Sequence, residues 1–245
     1  MSAERSPKTI ILTGASRGLG AGMAEHFTSQ GHNLGLCARS KPELSGQTIL
    51  SRSVDVRDGA ALDQFAQEVE ERFGRIDVWI NNAGVLDPIG PIREVSPKAF
   101  TESIDINLTG VLLGTQTFIR HVRSRPGTGI LLNLSSGAAL VGYAGWGAYC
   151  AGKSAVDRLT ECVALEEAEA GLRAHAVAPG VIDTDMQTKI RECKPSQFPM
   201  VQKFIDIKRE DRFNSPTFVA DRLLDLIFEP PANATVVMKL PSEKA

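Results

Sequence analysis

The chain has 245 residues, of which 42% are hydrophobic and 23% are charged, and 27 Lys and Arg residues stand against 29 Asp and Glu residues. This apolar fraction suffices for one large core and excludes global disorder, and the near balance of charge argues against a dedicated nucleic-acid binder. No apolar run approaches the ~20 residues that cross a bilayer, so no membrane contact is expected. The polar segment 1–8 lacks the apolar stretch of a signal peptide, so we expect a cytoplasmic protein.

Short apolar runs alternate with longer amphipathic stretches along the chain. In the first half, the pattern predicts strands at 9–13, 33–38, 49–54 and 76–80 and helices at 19–30 and 58–74. In the second half, it predicts a helix from Ser96 that extends as far as Arg125, strands at 130–134, 173–177 and 235–240, and helices at 147–170 and 215–228. This alternation predicts an α/β fold: a doubly wound parallel sheet (a Rossmann fold) in three layers, α/β/α.

The segment 183–215 breaks the alternation. It lacks clear periodicity and contains Pro195, Pro199 and a charged run at 208–212. A long irregular segment inside a compact domain is typically a lid or a binding loop, and we expect this one to shape a substrate pocket. No repeat, low-complexity tract or linker interrupts the sequence, so residues 1–245 are predicted to form a single domain.

Three glycines, Gly14, Gly18 and Gly20, follow the first predicted strand in the segment TGASRGLG. Glycines at a strand-to-helix junction let the backbone approach a pyrophosphate, whose charge meets free N–H groups and the positive end of the helix dipole. Ordinary loop chemistry is the alternative for glycines in a turn. The position of this turn between a strand and a helix favours the phosphate-binding interpretation.

The end of the second predicted strand bears on the choice of dinucleotide. An acidic residue there would accept a hydrogen bond from the ribose 2′-hydroxyl of NAD(H), but this chain has Ala38 followed by Arg39. A guanidinium group matches a 2′-phosphate in charge and geometry, and Arg17 in the glycine turn could reach the same place. The two arginines favour NADP(H) over NAD(H), and two solvated surface arginines are the alternative.

Tyr149 and Lys153 stand four residues apart at the start of a predicted helix, where they share one face. A tyrosine hydroxyl titrates near ~10, and a nearby ammonium group favours its ionised form and brings its pKa toward the neutral range. This spacing also arises by chance on ordinary helices. Ser136 supplies the context, because it follows the fifth predicted strand and ligand sites of open α/β sheets form at the carboxyl ends of strands.

Together, these motifs strongly resemble those of the short-chain dehydrogenase/reductase family. The matching segments are TGASRGLG, Asp55 in VDV, NNAG at 81–84, Asn107 in INLTG, Ser136, YCAGK at 149–153 and PGVIDT at 179–184. They occur in the family's order over residues 8–186, which is most of the chain.

The resemblance implies an oxidoreductase with four catalytic residues. Tyr149 resembles the general acid that protonates the carbonyl oxygen during reduction, and Ser136 resembles the serine that orients this oxygen. Lys153 resembles the lysine that lowers the tyrosine pKa and binds the nicotinamide ribose. Asn107 is similar to the asparagine whose main chain holds a water molecule in a proton relay to that lysine.

The resemblance also implies coenzyme-binding positions. Asp55 resembles the adenine contact, with Val56 beside it, and the segment 81–84 lies on the adenosine side. Ile182, through its main chain, and Thr184 resemble the contacts to the carboxamide and the phosphates. The implied positions are Gly14, Ser16, Arg17, Gly18, Leu19, Gly20, Arg39, Asp55, Val56, Asn81, Ala83, Gly84, Tyr149, Lys153, Pro179, Gly180, Ile182 and Thr184.

Two departures from the family pattern bear on the fold and the assembly. Only about ten residues separate Arg39 from the third strand, so we expect the helix that is common there to be truncated. The last predicted strand lacks the DGG ending of many members, which often form tetramers partly through that region. A homo-oligomer, either a dimer or a tetramer, is expected. The short crossover and the proline-led last helix resemble the sepiapterin- and benzil-reductase-like branch.

We therefore expect an NADP(H)-dependent enzyme that reduces a small-molecule ketone, aldehyde or diketone. NAD-dependent alcohol oxidation on the same scaffold and a non-catalytic dinucleotide-sensing or partner-binding protein are the alternatives. Tyr143 and Trp146 form either an apolar wall for an aromatic or bulky substrate or part of the core. The four histidines have no ligand spacing and the four cysteines have no CxxC pair, so neither a metal site nor a disulfide framework is expected.

Overall fold

The computed structural model describes residues 6–231 and 234–244, so the expectation about the segment 1–8 rests largely on residues outside the described ones. The strands within these residues are β1 (Thr9–Thr13), β2 (Asn33–Ala38), β3 (Ile49–Ser53), β4 (Val78–Asn81), β5 (Gly129–Leu134), β6 (Leu172–Ala178) and β7 (Val237–Lys239). The helices are α1 (Gly18–Ser29), α2 (Gly59–Phe73), α3 (Pro97–Ile104), α4 (Gly110–Arg123), α5 (Gly147–Glu166), α6 (Asp185–Arg191), α7 (Val201–Arg209) and α8 (Pro216–Phe228).

The strands of the described chain form one parallel sheet in the order β3-β2-β1-β4-β5-β6-β7. The chain builds outward from β1 to β3 and then returns to place β4 on the other side of β1. A crevice opens at such a reversal, outside the carboxyl ends of the strands. The predicted Rossmann fold is confirmed.

Helices α1 and α8 cover one face of the sheet. Met23 of α1 and Leu223 of α8 are fully buried, and both pack in one cluster with Leu12 of β1. Helix α8 begins at Pro216 because Ser215 precedes it, and the Ser215 hydroxyl accepts a hydrogen bond from the N–H of Phe218 at 3.1 Å.

Helices α2, α4 and α5 cover the opposite face. Phe65 of α2, Phe118 of α4 and Val163 of α5 belong to one cluster with Trp79 of β4, which is fully buried. Because both faces are covered, the central strands β1, β4 and β5 are buried along their whole length and mostly apolar. The three-layer arrangement is therefore the predicted one.

The long helix predicted from Ser96 to Arg125 is present but interrupted. A π-helical turn, Asp105–Thr109, separates α3 from α4. There the N–H of Gly110 donates to the carbonyl oxygen of Asp105, five residues earlier. Turns of this kind are frequent at functional sites, and apolar periodicity does not reveal them.

The sequence predicts a short crossover between β2 and β3 and an irregular segment at 183–215, and the structure agrees only with the first. The crossover from β2 to β3 is short, as expected, and the described residues 39–48 contain no helix. The lid segment, defined as residues 183–215, was expected to be irregular, and this is wrong because it contains α6 and α7. These helices are short, and they are stabilised by apolar side chains such as Ile190 and Phe204 that pack in one cluster.

Gly35 of β2 lies where no side chain fits. A Cβ atom there would lie 2.5 Å from Cγ2 of Val69 and 3.1 Å from Cγ1 of Ile11. We expect Gly35→Ala to lower the free energy of unfolding by about 1–3 kcal/mol, measured by urea denaturation, because the β2–α2 packing must open. Gly46→Ala is the control, since its Cβ atom would lie at an ordinary 3.6 Å from Cδ1 of Ile49. Equal losses in the two variants would contradict this close packing.

Candidate active site

The glycine turn between β1 and α1 brings two strand ends into close contact. Gly14 has a φ of +69°, which favours glycine, and a Cβ atom there would lie 2.7 Å from the Cα of Ala83. A Cβ atom at Gly20 would lie 2.2 Å from the carbonyl oxygen of Gly14. Helix α1 begins after Arg17 without a side-chain cap, so its first N–H groups are left for solvent or a ligand. Ser16 and Leu19 are half-buried in the same turn.

A hydrogen-bonded brace joins β1 to the segment after β4. The Thr13 hydroxyl accepts from the N–H groups of Asn82 and Ala83, each at 3.1 Å. The Asn82 amide donates to the carbonyl oxygens of Thr13 at 3.0 Å and Gly14 at 3.1 Å. Sequence reasoning missed both Thr13 and Asn82 as site residues, although they flank the two motifs TG and NNAG.

The residues predicted for the adenosine end lie after β2 and β3. Ala38 is buried, and Arg39 beside it is exposed. Val56 is buried, and Asp55 is half-buried with its carboxylate 2.5 Å from the guanidinium of Arg57. The hydrogen bond from Arg57 holds the pKa of Asp55 below its usual value.

Arg17 extends from the glycine turn toward the lid segment. Its guanidinium lies 3.3 Å from the carboxylate of Asp185 at the start of α6, and the two side chains are 75% and 81% exposed. An ion pair this exposed contributes little to stability, so Arg17 is available to another anion.

Asn81 lies deeper than the sequence suggested. Its amide donates to Oδ1 of Asn133 at 2.9 Å, and its own Oδ1 accepts from the indole N–H of Trp79 at 2.9 Å. In contrast, Ala83 is half-buried and Gly84 is exposed. The structure therefore brings Ala83 and Gly84 to the crevice, whereas the Asn81 side chain faces the interior.

The hydroxyl groups of Tyr149 and Ser136 lie near each other where α5 begins beside the end of β5. Burial raises the pKa of Tyr149, and the nearby Ser136 hydroxyl opposes the rise only in part. The predicted lowering of the tyrosine pKa by Lys153 is therefore not found. Desolvation is the largest influence on the Tyr149 pKa. The Lys153 ammonium lies 5.9 Å from the centre of the Tyr149 ring.

Lys153 is itself buried, with 5% of its surface exposed. Its ammonium donates to the carbonyl oxygen of Leu134 at 2.6 Å. Burial lowers the pKa of Lys153 to about 8, and the carboxylate of Asp157, one turn further along α5, acts in the opposite direction. The ammonium is therefore still mostly protonated at pH 7. A buried cation beside a crevice is typical of a functional site.

Asn107 lies in the π-helical turn and is fully buried. Its amide donates to the carbonyl oxygen of Val85 at 2.8 Å, and its Oδ1 accepts from the N–H of Val85 at 2.9 Å. A Cβ atom at Gly84 would lie 3.0 Å from Oδ1 of Asn107 and 3.8 Å from Nζ of Lys153. The structure thus brings Asn107 and Lys153 together beside the segment that follows β4.

The loop after β6 borders the glycine turn. Pro179 is buried, and Gly180 is exposed with a φ of +85°. A Cβ atom at Gly18 would lie 3.1 Å from Cγ2 of Thr184. Ile182 is buried in the core between the sheet and the helices α1 and α8. The positions predicted from PGVIDT therefore lie next to those predicted from TGASRGLG.

Aromatic rings separate Tyr149 from the lid segment. The Trp146 ring stacks on Phe198 with centroids 4.5 Å apart, and it meets Tyr149 edge to face at 5.9 Å. Trp146 is 5% exposed and Phe198 is fully buried, so Trp146 is part of the core between α5 and the lid segment. Tyr143 is half-buried, and its hydroxyl accepts from the ammonium of Lys203 on α7 at 3.2 Å.

A family model described as short chain dehydrogenase matches residues 8–195. This range contains the glycine turn, the Ser136–Tyr149 pair, Lys153 and the loop after β6. The chain belongs to the short chain dehydrogenase family. The resemblance expected from the motifs is confirmed.

Individual relatives agree with this membership. The chain is 33% identical to a benzil reductase ((S)-benzoin forming) of Bacillus cereus, over 89% of this chain and 93% of that protein. It is 35% identical to an NADPH-dependent pterin aldehyde reductase of Arabidopsis thaliana, over 74% of this chain and 77% of that protein. A solved short chain dehydrogenase/reductase from Saccharomyces cerevisiae has a TM-score of 0.85 at 26% identity, with 95% of each chain covered.

The residues of this short chain dehydrogenase fit the nicotinamide dinucleotide that the family binds. The uncapped N–H groups at the start of α1 suit the phosphates, and the buried ammonium of Lys153 can donate to a ribose hydroxyl. Across residues 6–231 and 234–244, no set of three or more His, Cys, Asp and Glu side chains is arranged to hold a metal ion. In the same ranges, no helix is both long enough and apolar enough to span a bilayer.

The lowered pKa of Lys153 predicts a pH-dependent stability. Between about 8 and its ordinary value of 10.5, the folded protein binds fewer protons at this group than the unfolded chain, so the free energy of unfolding rises with pH. Lys153→Met removes the titrating group and is expected to lose this rise. We expect the wild-type minus variant difference to grow by about 1–3 kcal/mol from pH 8 to 10.5 in urea denaturation. A constant difference would contradict the lowered pKa.

Proposed function

We propose that this short chain dehydrogenase is an NADP(H)-dependent carbonyl reductase that converts a small ketone, aldehyde or diketone into an alcohol. The observation that carries the proposal is that the hydroxyl groups of Ser136 and Tyr149 lie near each other, beside the buried ammonium of Lys153. The names of two relatives, a benzil reductase and a pterin aldehyde reductase, support reduction of a carbonyl group.

Tyr149 donates the proton to the carbonyl oxygen of the substrate. Its hydroxyl is protonated at neutral pH, as a proton donor in the direction of reduction must be. Ser136 donates a hydrogen bond to the same oxygen, and the two preorganised hydroxyl groups stabilise the negative charge that develops on it. The bound coenzyme supplies the hydride.

Lys153 and Asn107 restore the proton that Tyr149 gives up. The Lys153 ammonium is mostly protonated at pH 7, so it can supply the proton that replaces the one given up by Tyr149. Asn107, in the π-helical turn, holds through its main chain a water molecule that links Lys153 to solvent, as the resemblance implies. The same lysine binds the nicotinamide ribose.

The preference for NADP(H) rests on the residues after β2. Ala38 offers no carboxylate to a ribose 2′-hydroxyl, and the exposed Arg39 next to it offers a guanidinium to a 2′-phosphate. Arg17 is a second cation, and its exposed pair with Asp185 is readily exchanged for a phosphate. The relative from Arabidopsis thaliana is named as NADPH-dependent.

Two other functions fit the site less well. NAD-linked alcohol oxidation would use the same residues in the reverse direction, and the end of β2 argues against it. A dinucleotide sensor needs no proton donor, so the paired hydroxyl groups of Ser136 and Tyr149 argue against a non-catalytic protein. A cytoplasmic homo-oligomer, either a dimer or a tetramer, stays a prediction.

Replacement of Tyr149 by phenylalanine tests the proton donor. Tyr149→Phe keeps the ring that meets Trp146 and removes only the hydroxyl. We expect kcat/KM for carbonyl reduction to fall by about 10²–10⁴-fold, measured by the loss of NADPH absorbance over a panel of ketones, aldehydes and diketones. The Kd for NADPH, measured by fluorescence, is expected to change by less than about twofold because the hydroxyl acts on the substrate.

The matched control is Tyr143→Phe, since the chain has two tyrosines and Tyr143 is the other. Its hydroxyl is bonded to Lys203, so kcat is expected to stay within about fivefold of wild type. Turnover that survives in Tyr149→Phe would contradict the proposed role of Tyr149.

Arg39 tests the coenzyme preference. We expect the wild type to bind NADPH at least about tenfold more tightly than NADH, and Arg39→Ala to lose about tenfold in NADPH affinity with NADH affinity unchanged. Arg52→Ala on the neighbouring strand is the control, because the Arg52 guanidinium is engaged by Glu68 at 2.6 Å. Tenfold tighter binding of NADH to the wild type would overturn the preference.

A further inference from the structure

Asn214 is a buried amide, 5% exposed, that the proposed function leaves without a role. Its side-chain N–H groups donate to the carbonyl oxygens of Pro179 at 2.9 Å and Pro241 at 3.1 Å. Its Oδ1 accepts from the N–H of Glu243 at 2.8 Å, and its own N–H donates to the carbonyl oxygen of Val181 at 2.9 Å. Both amide donors and the amide oxygen are therefore satisfied, which makes this a fully connected polar network.

The loop Pro179–Thr184 is held by Asn214 from two sides. One hydrogen bond reaches Pro179 and another reaches Val181, so the two bonds bracket Gly180. Gly180 has a φ of +85°, and a Cβ atom there would lie 2.6 Å from Nδ2 of Asn214. The carbonyl oxygen of Pro179 follows the end of β6, and the Asn214 amide supplies to it the donor that a neighbouring strand supplies within the sheet.

The segment Pro241–Lys244 forms the other side of the same network. It follows β7, and the N–H of Leu240 donates to the carbonyl oxygen of Ala178 at 3.0 Å. The Glu243 carboxylate accepts from the Ser215 N–H at 2.5 Å and from the Ser215 hydroxyl at 3.0 Å, at the start of α8. The segment therefore lies across the loop, fastened at one end by β7 and at the other by α8.

We propose that Asn214 is a positioning residue for coenzyme binding, which fastens the loop Pro179–Thr184 to the segment Pro241–Lys244. The inference rests on the proposed function in one respect, namely that this loop contacts the coenzyme. Asn214 touches neither the coenzyme nor the substrate. It acts by holding the loop in its binding conformation before the coenzyme arrives, which reduces the ordering cost of binding.

Asparagine suits this position because it donates twice and accepts once in one plane. Aspartate has the same shape but no donor, and its charge would face the carbonyl oxygens of Pro179 and Pro241. Asn214→Asp is therefore a nearly isosteric change that breaks the fastening. A chain that ends at Leu240 is a second variant, because it removes Pro241 and Glu243 and leaves Asn214 intact.

Three measurements on wild type, Asn214→Asp and the chain ending at Leu240 test the proposal. In coenzyme-free protein, we expect exchange of the main-chain amide of residue 214, which donates to Val181, to be at least about tenfold faster in both variants. The Kd for NADPH is expected to rise at least about tenfold. The KM for NADPH should rise with it, while kcat falls less than about threefold, because the loop supplies no group for proton transfer.

Ser96→Ala is the control for a merely structural effect. The Ser96 hydroxyl caps α3 by accepting from the N–H of Ala99 at 3.2 Å, so its loss is expected to lower the Tm by about 2–4 °C. The Kd for NADPH and the exchange of the residue 214 amide should then stay within twofold of wild type. If Asn214→Asp behaves like this control, the positioning role is overturned, and the chain ending at Leu240 decides the question if Asn214→Asp does not fold.

A failure of the proposed function gives a different result from a failure of the fastening by Asn214. A wild-type protein that binds neither NADPH nor NADH contradicts the proposed function, whereas hydrogen exchange of the residue 214 amide in coenzyme-free protein still tests the fastening. Unchanged exchange in both variants contradicts the fastening, whatever the coenzyme affinity.

Discussion

The ammonium group of Lys153 is buried at the carboxyl end of β5, where its hydrogen bond to the carbonyl oxygen of Leu134 offsets part of the cost of removing a charge from water. An isolated helix could not keep that charge away from solvent, so the packing of α5 against the sheet bears the remaining cost. The π-helical turn at Asn107 and the paired hydroxyl groups of Ser136 and Tyr149 surround this cation. The chemistry of the crevice thus depends on the stability of the whole sheet.

Three asparagine side chains form hydrogen bonds with the main chain of loops at the carboxyl ends of the strands. Asn82 binds main-chain carbonyl groups of the glycine turn, Asn107 binds both main-chain groups of Val85, and Asn214 binds the loop after β6. Loops at the carboxyl ends of strands have no neighbouring strand with which to pair, yet their buried polar groups still need partners. An amide side chain both donates and accepts hydrogen bonds, so it can replace the backbone hydrogen bonds that a neighbouring strand would make.

Much of the fold was predictable because its signals are local. Asp58 before α2 and Ser215 before α8 are N-caps that mark helix starts directly, and the apolar strands appear as continuous runs. The motifs located Tyr149 and Lys153, but the raised pKa of Tyr149 depends on burial, which no spacing reveals. Asn81 and Asn82 are adjacent and chemically identical, but the Asn81 side chain faces the interior and the Asn82 side chain binds the glycine turn. Only the alternation of side chains at the end of β4 distinguishes the two positions.

The stack of Trp146 on Phe198 has a consequence for access to the crevice. Phe198 belongs to the segment between α6 and α7, whereas Trp146 is attached to α5 and meets Tyr149 edge to face. Swinging that segment outward would expose two large aromatic faces to water, at a cost on the order of 2–3 kcal/mol per ring. Tyr149 is only 8% exposed beneath this contact, so any movement of the segment away from α5 must first separate the two stacked rings.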